Sequence, residues 1–118
     1  MTDASLPTSP AWTTVAATAD VPPGTGRVVN ADGRLVAVFN AGGEYHAIDN
    51  QCPHRGGPLG KGSLDGHTVV CPWHGWSFDV RTGINVDTGR IRVRCFPVAV
   101  ENGRILVQVV NEPVCGRG

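Results

Sequence analysis

Two short loops set what this chain can fold into: Cys52-Pro53-His54 and Cys71-Pro72-Trp73-His74, each offering one thiolate and one imidazole among glycines and prolines. Residues 55–70 separate them, so any fold that uses both must bring two distant turns face to face. Together they supply two sulfur and two nitrogen ligands. Zinc takes the same atoms, but finger-type zinc sites place two cysteines together and two histidines together. Here each loop carries one of each. That suits a centre of two unlike irons, the first residue of both loops serving one iron and the last residue of both serving the other. A disulfide between Cys52 and Cys71 would leave His54 and His74 at matched positions without a reason. The two-iron reading makes Cys52, His54, Cys71 and His74 the ligands and makes the chain a carrier of single electrons.

At 118 residues the chain reads as one domain, long enough to bury about two-thirds of its unfolded surface. Ten basic and ten acidic residues are spread along it and cancel. No basic stripe points to nucleic acid and no polybasic tail to a membrane, so the expected partners are proteins. Residues 1–10 are polar and proline-broken, unlike an export signal, and no apolar run is long enough to span a bilayer. The expected compartment is the cytoplasm. Cys95 lies in a strand-like apolar run and is expected as a reduced, buried thiol; Cys115 in the tail reads as an incidental exposed one.

Short apolar and β-branched runs recur between turn signals without a helical period, which predicts an all-β fold with little helix. Expected strands cover 12–18, 27–31, 34–40, 44–50, 62–64, 67–71, 76–80, 93–101 and 104–110. Asp32-Gly33, Asp65-Gly66 and Asn102-Gly103 are the expected hairpin turns, because these residues tolerate positive φ. In the last hairpin, Ile105, Val107 and Val109 should share one face, with Leu106, Gln108 and Val110 on the other. The layout suggests a strand scaffold of about 11–49 and 86–110, a metal-binding insertion of about 50–85, and flexible tails at 1–10 and 112–118. The insertion is too short for a core of its own, so metal binding should staple it.

With the loops placed, the chain resembles the Rieske-type ferredoxins of bacterial oxygenase systems and the similar small subunit of NAD(P)H nitrite reductase. The likeness is most specific at 50–59, NQCPHRGGPL, and at 71–79, CPWHGWSFD. It implies a Rieske-type antiparallel β-sandwich scaffold with an inserted cluster-binding subdomain and one [2Fe-2S] cluster. It also implies that Cys52 and Cys71 hold the inner iron, while His54 and His74 hold the outer one near the surface. Rieske proteins of quinol-oxidising complexes carry an extra cysteine in each loop, where this chain has Gly57 and Trp73, and donate Ser and Tyr hydroxyls where it has Trp76 and Phe78. Lost donors leave the reduced cluster less stabilised, so a midpoint near the lower end of the Rieske range, which begins at about −150 mV, is expected.

Loop glycines Gly56, Gly57, Gly60, Gly62 and Gly75 could bring backbone N–H groups close to the sulfurs. Pro53, Pro58, Leu59, Pro72 and Trp73 could form an apolar docking patch, with Trp76 in the core beneath the loops. His46 has no matching ligand in its strand and His67 sits in a hairpin, so both read as structural or solvated. No second iron motif of His and carboxylate, no dinucleotide fingerprint and no nucleophile beside a base is visible in the sequence. The chain is therefore expected to be no enzyme by itself. The resemblance implies a cytoplasmic ferredoxin taking electrons from a flavin-dependent, NAD(P)H-using reductase and giving them to a terminal oxygenase. Its alternatives are a non-catalytic subunit of nitrite reductase and a zinc-stabilised binding module.

Overall fold

Alternating strands and tight turns give three antiparallel sheets in the computed structural model of the chain, which describes residues 12–52, 57–73 and 75–109. The strands are β1 (Trp12–Ala17), β2 (Thr25–Ala31), β3 (Arg34–Ala41), β4 (Glu44–Asp49), β5 (Ser63–Asp65), β6 (Thr68–Val70), β7 (Ser77–Asp79), β8 (Cys95–Phe96), β9 (Val98–Glu101) and β10 (Arg104–Gln108). They pair in the orders β1-β10-β9, β2-β3-β4-β8 and β5-β6-β7. Helix among the described residues is limited to two 3-10 turns, Thr18–Asp20 and Leu59–Lys61. None is long and apolar enough to cross a membrane.

The four-stranded sheet is covered on both faces. Strand alternation sends Val29, Ala31, Val36, Val38 and Ala47 to one side, where they meet Phe96, Ile105 and Val107. Ala37, Phe39 and Ile48 go to the other side, into a core shared with Leu59, Val69, Phe78, Val80 and both Cys52 and Cys71. Ile105 and Val107 are fully buried, as their face of the last hairpin predicts. The segment carrying the thiols thus buries its apolar side chains in a core that it shares with the sheet.

Two hairpins turn as expected, because Asp32 and Gly33, and Asn102 and Gly103, all take positive φ, which matches the twist of the flanking strands. Elsewhere the sequence reading shifts. Asp65 pairs with Thr68, so the β5–β6 turn is Gly66-His67 and not Asp65-Gly66. The expected strand 93–101 is two strands in two sheets, β8 beside β4 and β9 beside β10, divided at Pro97. Proline cannot donate to a ladder, so the chain changes partners there. Cys95 is disulfide-bonded, not the reduced thiol expected from its apolar run; Cys52 and Cys71 are free. Cys115 and Val110 lie outside the described residues.

Buried asparagines lock three turns. Asn40 donates to the Val21 carbonyl at 2.8 Å and accepts the Gly43 N–H at 2.7 Å. Asn85 donates to the Ser77 carbonyl and accepts both the N–H and the hydroxyl of Thr88. Asn50 accepts the Gly60 N–H at 2.8 Å through its side chain, while its own carbonyl takes the Leu59 N–H at 2.8 Å. That last pair closes the base of the first cysteine loop. The sequence signal for such locks is an asparagine three residues before a turn N–H, as in Asn30-x-x-Gly33 and Asn40-x-x-Gly43.

Candidate metal centre

Each cysteine sits at the mouth of a loop shut by a backbone hydrogen bond. The Cys52 N–H donates to the Gly57 carbonyl at 2.9 Å, and the Cys71 N–H donates to the Trp76 carbonyl at 2.7 Å. Below them, Gln51 bridges to Pro58 and Val70 pairs with Ser77. Both closures therefore span the same number of residues, and the strands beneath fix where each sulfur emerges.

The two thiols are buried together and interact directly. Burial pushes the Cys71 thiol up from its ordinary value; the Trp73 N–H, 3.4 Å from its sulfur, pulls the other way, and the neighbouring Cys52 adds to the rise. Two thiolates side by side in a dry pocket repel, so the arrangement calls for a positively charged centre between them. Gly57 lets the two loops pack this closely: a Cβ there would stand 2.8 Å from the Cys71 sulfur and 3.0 Å from the Trp73 ring. His54 and His74, the other two residues of the motif, lie outside the described residues, as do Pro53, Arg55 and Gly56.

Several loop residues have roles other than those expected. Gly60 gives its N–H to Asn50 and abuts Val28, and Gly62 gives its N–H to the Leu59 carbonyl and abuts the Val70 backbone, so neither N–H serves a sulfur. A Cβ on Gly75 would meet open space. Leu59 is fully buried and cannot belong to a docking patch, whereas Pro72 is exposed and Trp73 is 50% exposed. Trp76 packs against the core and lies near Phe78, as expected of a residue beneath the loops.

Behind the second loop, the Asp79 carboxylate accepts two bonds from the Arg81 guanidinium, at 2.8 and 3.1 Å, and one from the Arg81 N–H at 2.8 Å. Arg81 holds the Asp79 carboxyl below its ordinary value of 3.8, against a smaller opposing push from burial; the Arg81 backbone bond and charge and the nearby His67 add to the lowering. A carboxyl depressed in the folded state contributes stability above its unfolded value, and that stability is lost as pH falls through the folded value. Acid should therefore weaken the wild type more steeply below about pH 4 than Asp79→Asn. Urea unfolding at mildly acidic and strongly acidic pH checks this, and parallel losses in both proteins would refute it.

Two thiol-bearing hairpins, backed by a shared core and mounted on an antiparallel sheet scaffold, define an iron–sulfur electron-transfer protein. The chain belongs to the Rieske [2Fe-2S] domain family, whose model matches residues 11–97, and it carries one Rieske-type [2Fe-2S] cluster. It is 36% identical over 98 residues to ferredoxin CarAc of Metapseudomonas resinovorans, covering 81% of this chain and 92% of that one. It is similar to the solved complex of reduced oxygenase and oxidized ferredoxin in carbazole 1,9a-dioxygenase, with a TM-score of 0.75 and 35% identity over 82% of this chain and 92% of that one. A protein assigned as the NADH-dependent nitrite reductase small subunit of Mycobacterium tuberculosis gives a TM-score of 0.79 and 32% identity, covering 87% and 98%. The role common to such relatives is electron transfer, not catalysis, and it is this chain's role as well.

Proposed function

We propose that this chain carries single electrons from an NAD(P)H-dependent flavin reductase to a terminal oxygenase in the cytoplasm, with Cys52 and Cys71 holding one iron of its cluster and His54 and His74 the other. Bound there, the cluster supplies a one-electron couple with little change in the protein around it. The observation that carries the proposal is the pair of buried, interacting thiols at the mouths of two backbone-closed loops, with a half-exposed tryptophan beside them. The protein's own part is to exclude water from the sulfurs, to donate the Trp73 N–H to Cys71, and to keep the loops rigid between redox states. The whole chain is read as one unit, scaffold at about 11–49 and 86–110 and insertion at about 50–85. The separate β5-β6-β7 sheet and its packing onto the scaffold support that division.

Trp73 and Pro72 present the apolar surface next to the site on which a protein partner would dock. Trp73→Ala should slow electron exchange with the reductase or oxygenase by roughly tenfold through weaker association, a cost of about 1–2 kcal/mol, while the cluster spectrum stays unchanged. Unchanged kinetics, or a lost cluster, would remove the docking role. A disulfide at Cys95 is uncommon in the cytoplasm, which makes the compartment worth testing in its own right.

The likeness to a nitrite reductase small subunit favours one second reading, a fixed subunit of a larger reductase. Following the reduced-cluster EPR signal through native gel filtration of a soluble extract separates the two. Elution as a small protein supports the diffusing carrier, elution with a large flavoprotein supports the subunit, and no such signal, with zinc in the purified chain, overturns electron transfer altogether.

A further inference from the structure

On the scaffold face that meets the insertion, three side chains converge that no contiguous motif announces. Glu44 and His46 lie two residues apart on β4 and so project from the same face of the strand. His67, in the β5–β6 turn, comes from the insertion to meet them, its carbonyl held by the Val80 N–H at 2.8 Å. The Nε2 atoms of both histidines point at one oxygen, Glu44 Oε1, at 3.4 Å from His46 and 3.6 Å from His67. Their rings stand nearly perpendicular, with centroids 6.1 Å apart. All three ligand atoms lie within 4.8 Å of one another.

Those separations are long for hydrogen bonds, which run at about 2.7–3.2 Å between heavy atoms. They suit donors that share an ion: two ligands each about 2.0–2.1 Å from a tetrahedral metal stand roughly 3.4 Å apart. The donor set, two imidazoles and a carboxylate, matches divalent transition ions. The imidazoles are partly shielded, with 23% and 38% of their side chains exposed, while the carboxylate at 68% leaves the site open for entry. Arg81, the nearby cation, is tied to Asp79, so its charge is largely offset.

We infer that Glu44, His46 and His67 form a second metal site, one that takes a divalent transition ion such as zinc and is independent of the iron–sulfur cluster. It bridges the scaffold and the insertion. His67 and Cys71 stand at opposite ends of β6, about 13 Å apart along an extended strand, so an ion there is remote from the cluster sulfurs. The trio also answers the earlier reading of His46 and His67 as merely structural or solvated: the ligand missing from the strand comes from the turn of another sheet.

The test uses the cluster-loaded protein, treated with a mild chelator and titrated with zinc sulfate by calorimetry, with metal analysis after dialysis. One zinc per chain beyond the cluster iron is expected, the visible cluster spectrum staying constant. His67→Ala and Glu44→Gln should each weaken binding by at least about tenfold while keeping that spectrum, since loss of a group that only orients a ligand already costs about 10–100-fold at metal sites. Zinc should also raise the thermal midpoint of the wild type but not of His67→Ala. Absence of saturable binding, equal binding by the variants, or bleaching of the cluster in step with zinc uptake would each overturn the proposal. Because the cluster is monitored throughout, failure of this site leaves the electron-transfer reading untouched.

Discussion

Cys71→Ser is expected to give a colourless protein without the Rieske EPR signal and with a loosened β5-β6-β7 sheet. The Cys71 sulfur lies in the core that joins this sheet to Ala37, Phe39 and Ile48 of the scaffold, beside the Cys52 sulfur. Serine offers a harder, weaker ligand and places a hydroxyl where the core is dry. The free energy of cluster binding is free energy of folding for the loops it ties together, so its loss should cost several kcal/mol, on the scale of structural metal sites at roughly 10 kcal/mol. Hydrogen exchange should locate the damage: amides of 63–79 should lose protection while those of β2, β3 and β4 keep most of theirs. Full iron content with a native signal in the variant would show that Cys71 is not a ligand.

Gly83→Ala is expected to be nearly as damaging, at a residue far from any ligand in sequence. Gly83 sits at φ +76°, and a Cβ there would run into the Val93 carbonyl oxygen and lie 3.1 Å from the Cys95 sulfur. The Val93 backbone cannot yield, since its own N–H donates to the Gly83 carbonyl at 2.8 Å. Left-handed backbone alone costs a residue with a Cβ about 1–2 kcal/mol, and the collision with backbone should bring the total to about 3–5 kcal/mol. Gly89→Ala is the matched control: its φ is +72° but open space surrounds it, so it should lose only the conformational part. Urea unfolding of the two variants gives the difference, and equal losses would refute the steric account.

The hairpins were legible because their turns are made by the residues that turn chemistry demands, Asp-Gly and Asn-Gly. Of the cysteine–histidine motif, the two thiols come together in one core as its short local spacing suggests, while His54 and His74 lie outside the described residues. What escaped depends on which elements meet. Residue order alone does not reveal that β8 and β9 part at Pro97 to serve different sheets, nor that Leu59 turns inward. Gly60 and Gly62 read as loop glycines facing sulfur, whereas close approach to Val28 and to the Val70 backbone is what requires them. The Glu44, His46 and His67 trio is the sharpest case. Half of it, Glu44-x-His46, stands in plain view on one strand, and the third member arrives only through the packing of the insertion on the scaffold.

The two cysteine loops are shut by main-chain bonds, Cys52 to Gly57 and Cys71 to Trp76, and by strand pairing beneath them. Those clasps involve no side chain of the four residues each encloses. Among the described enclosed positions, exposed Pro72 and Trp73 are thus free to diverge without disturbing the frame, whereas Gly75, at φ +73°, is held to glycine by its backbone. A carrier built this way can exchange one oxidoreductase for another by rewriting its loop tips, so partner choice becomes an interchangeable part while the electron-carrying frame is inherited intact.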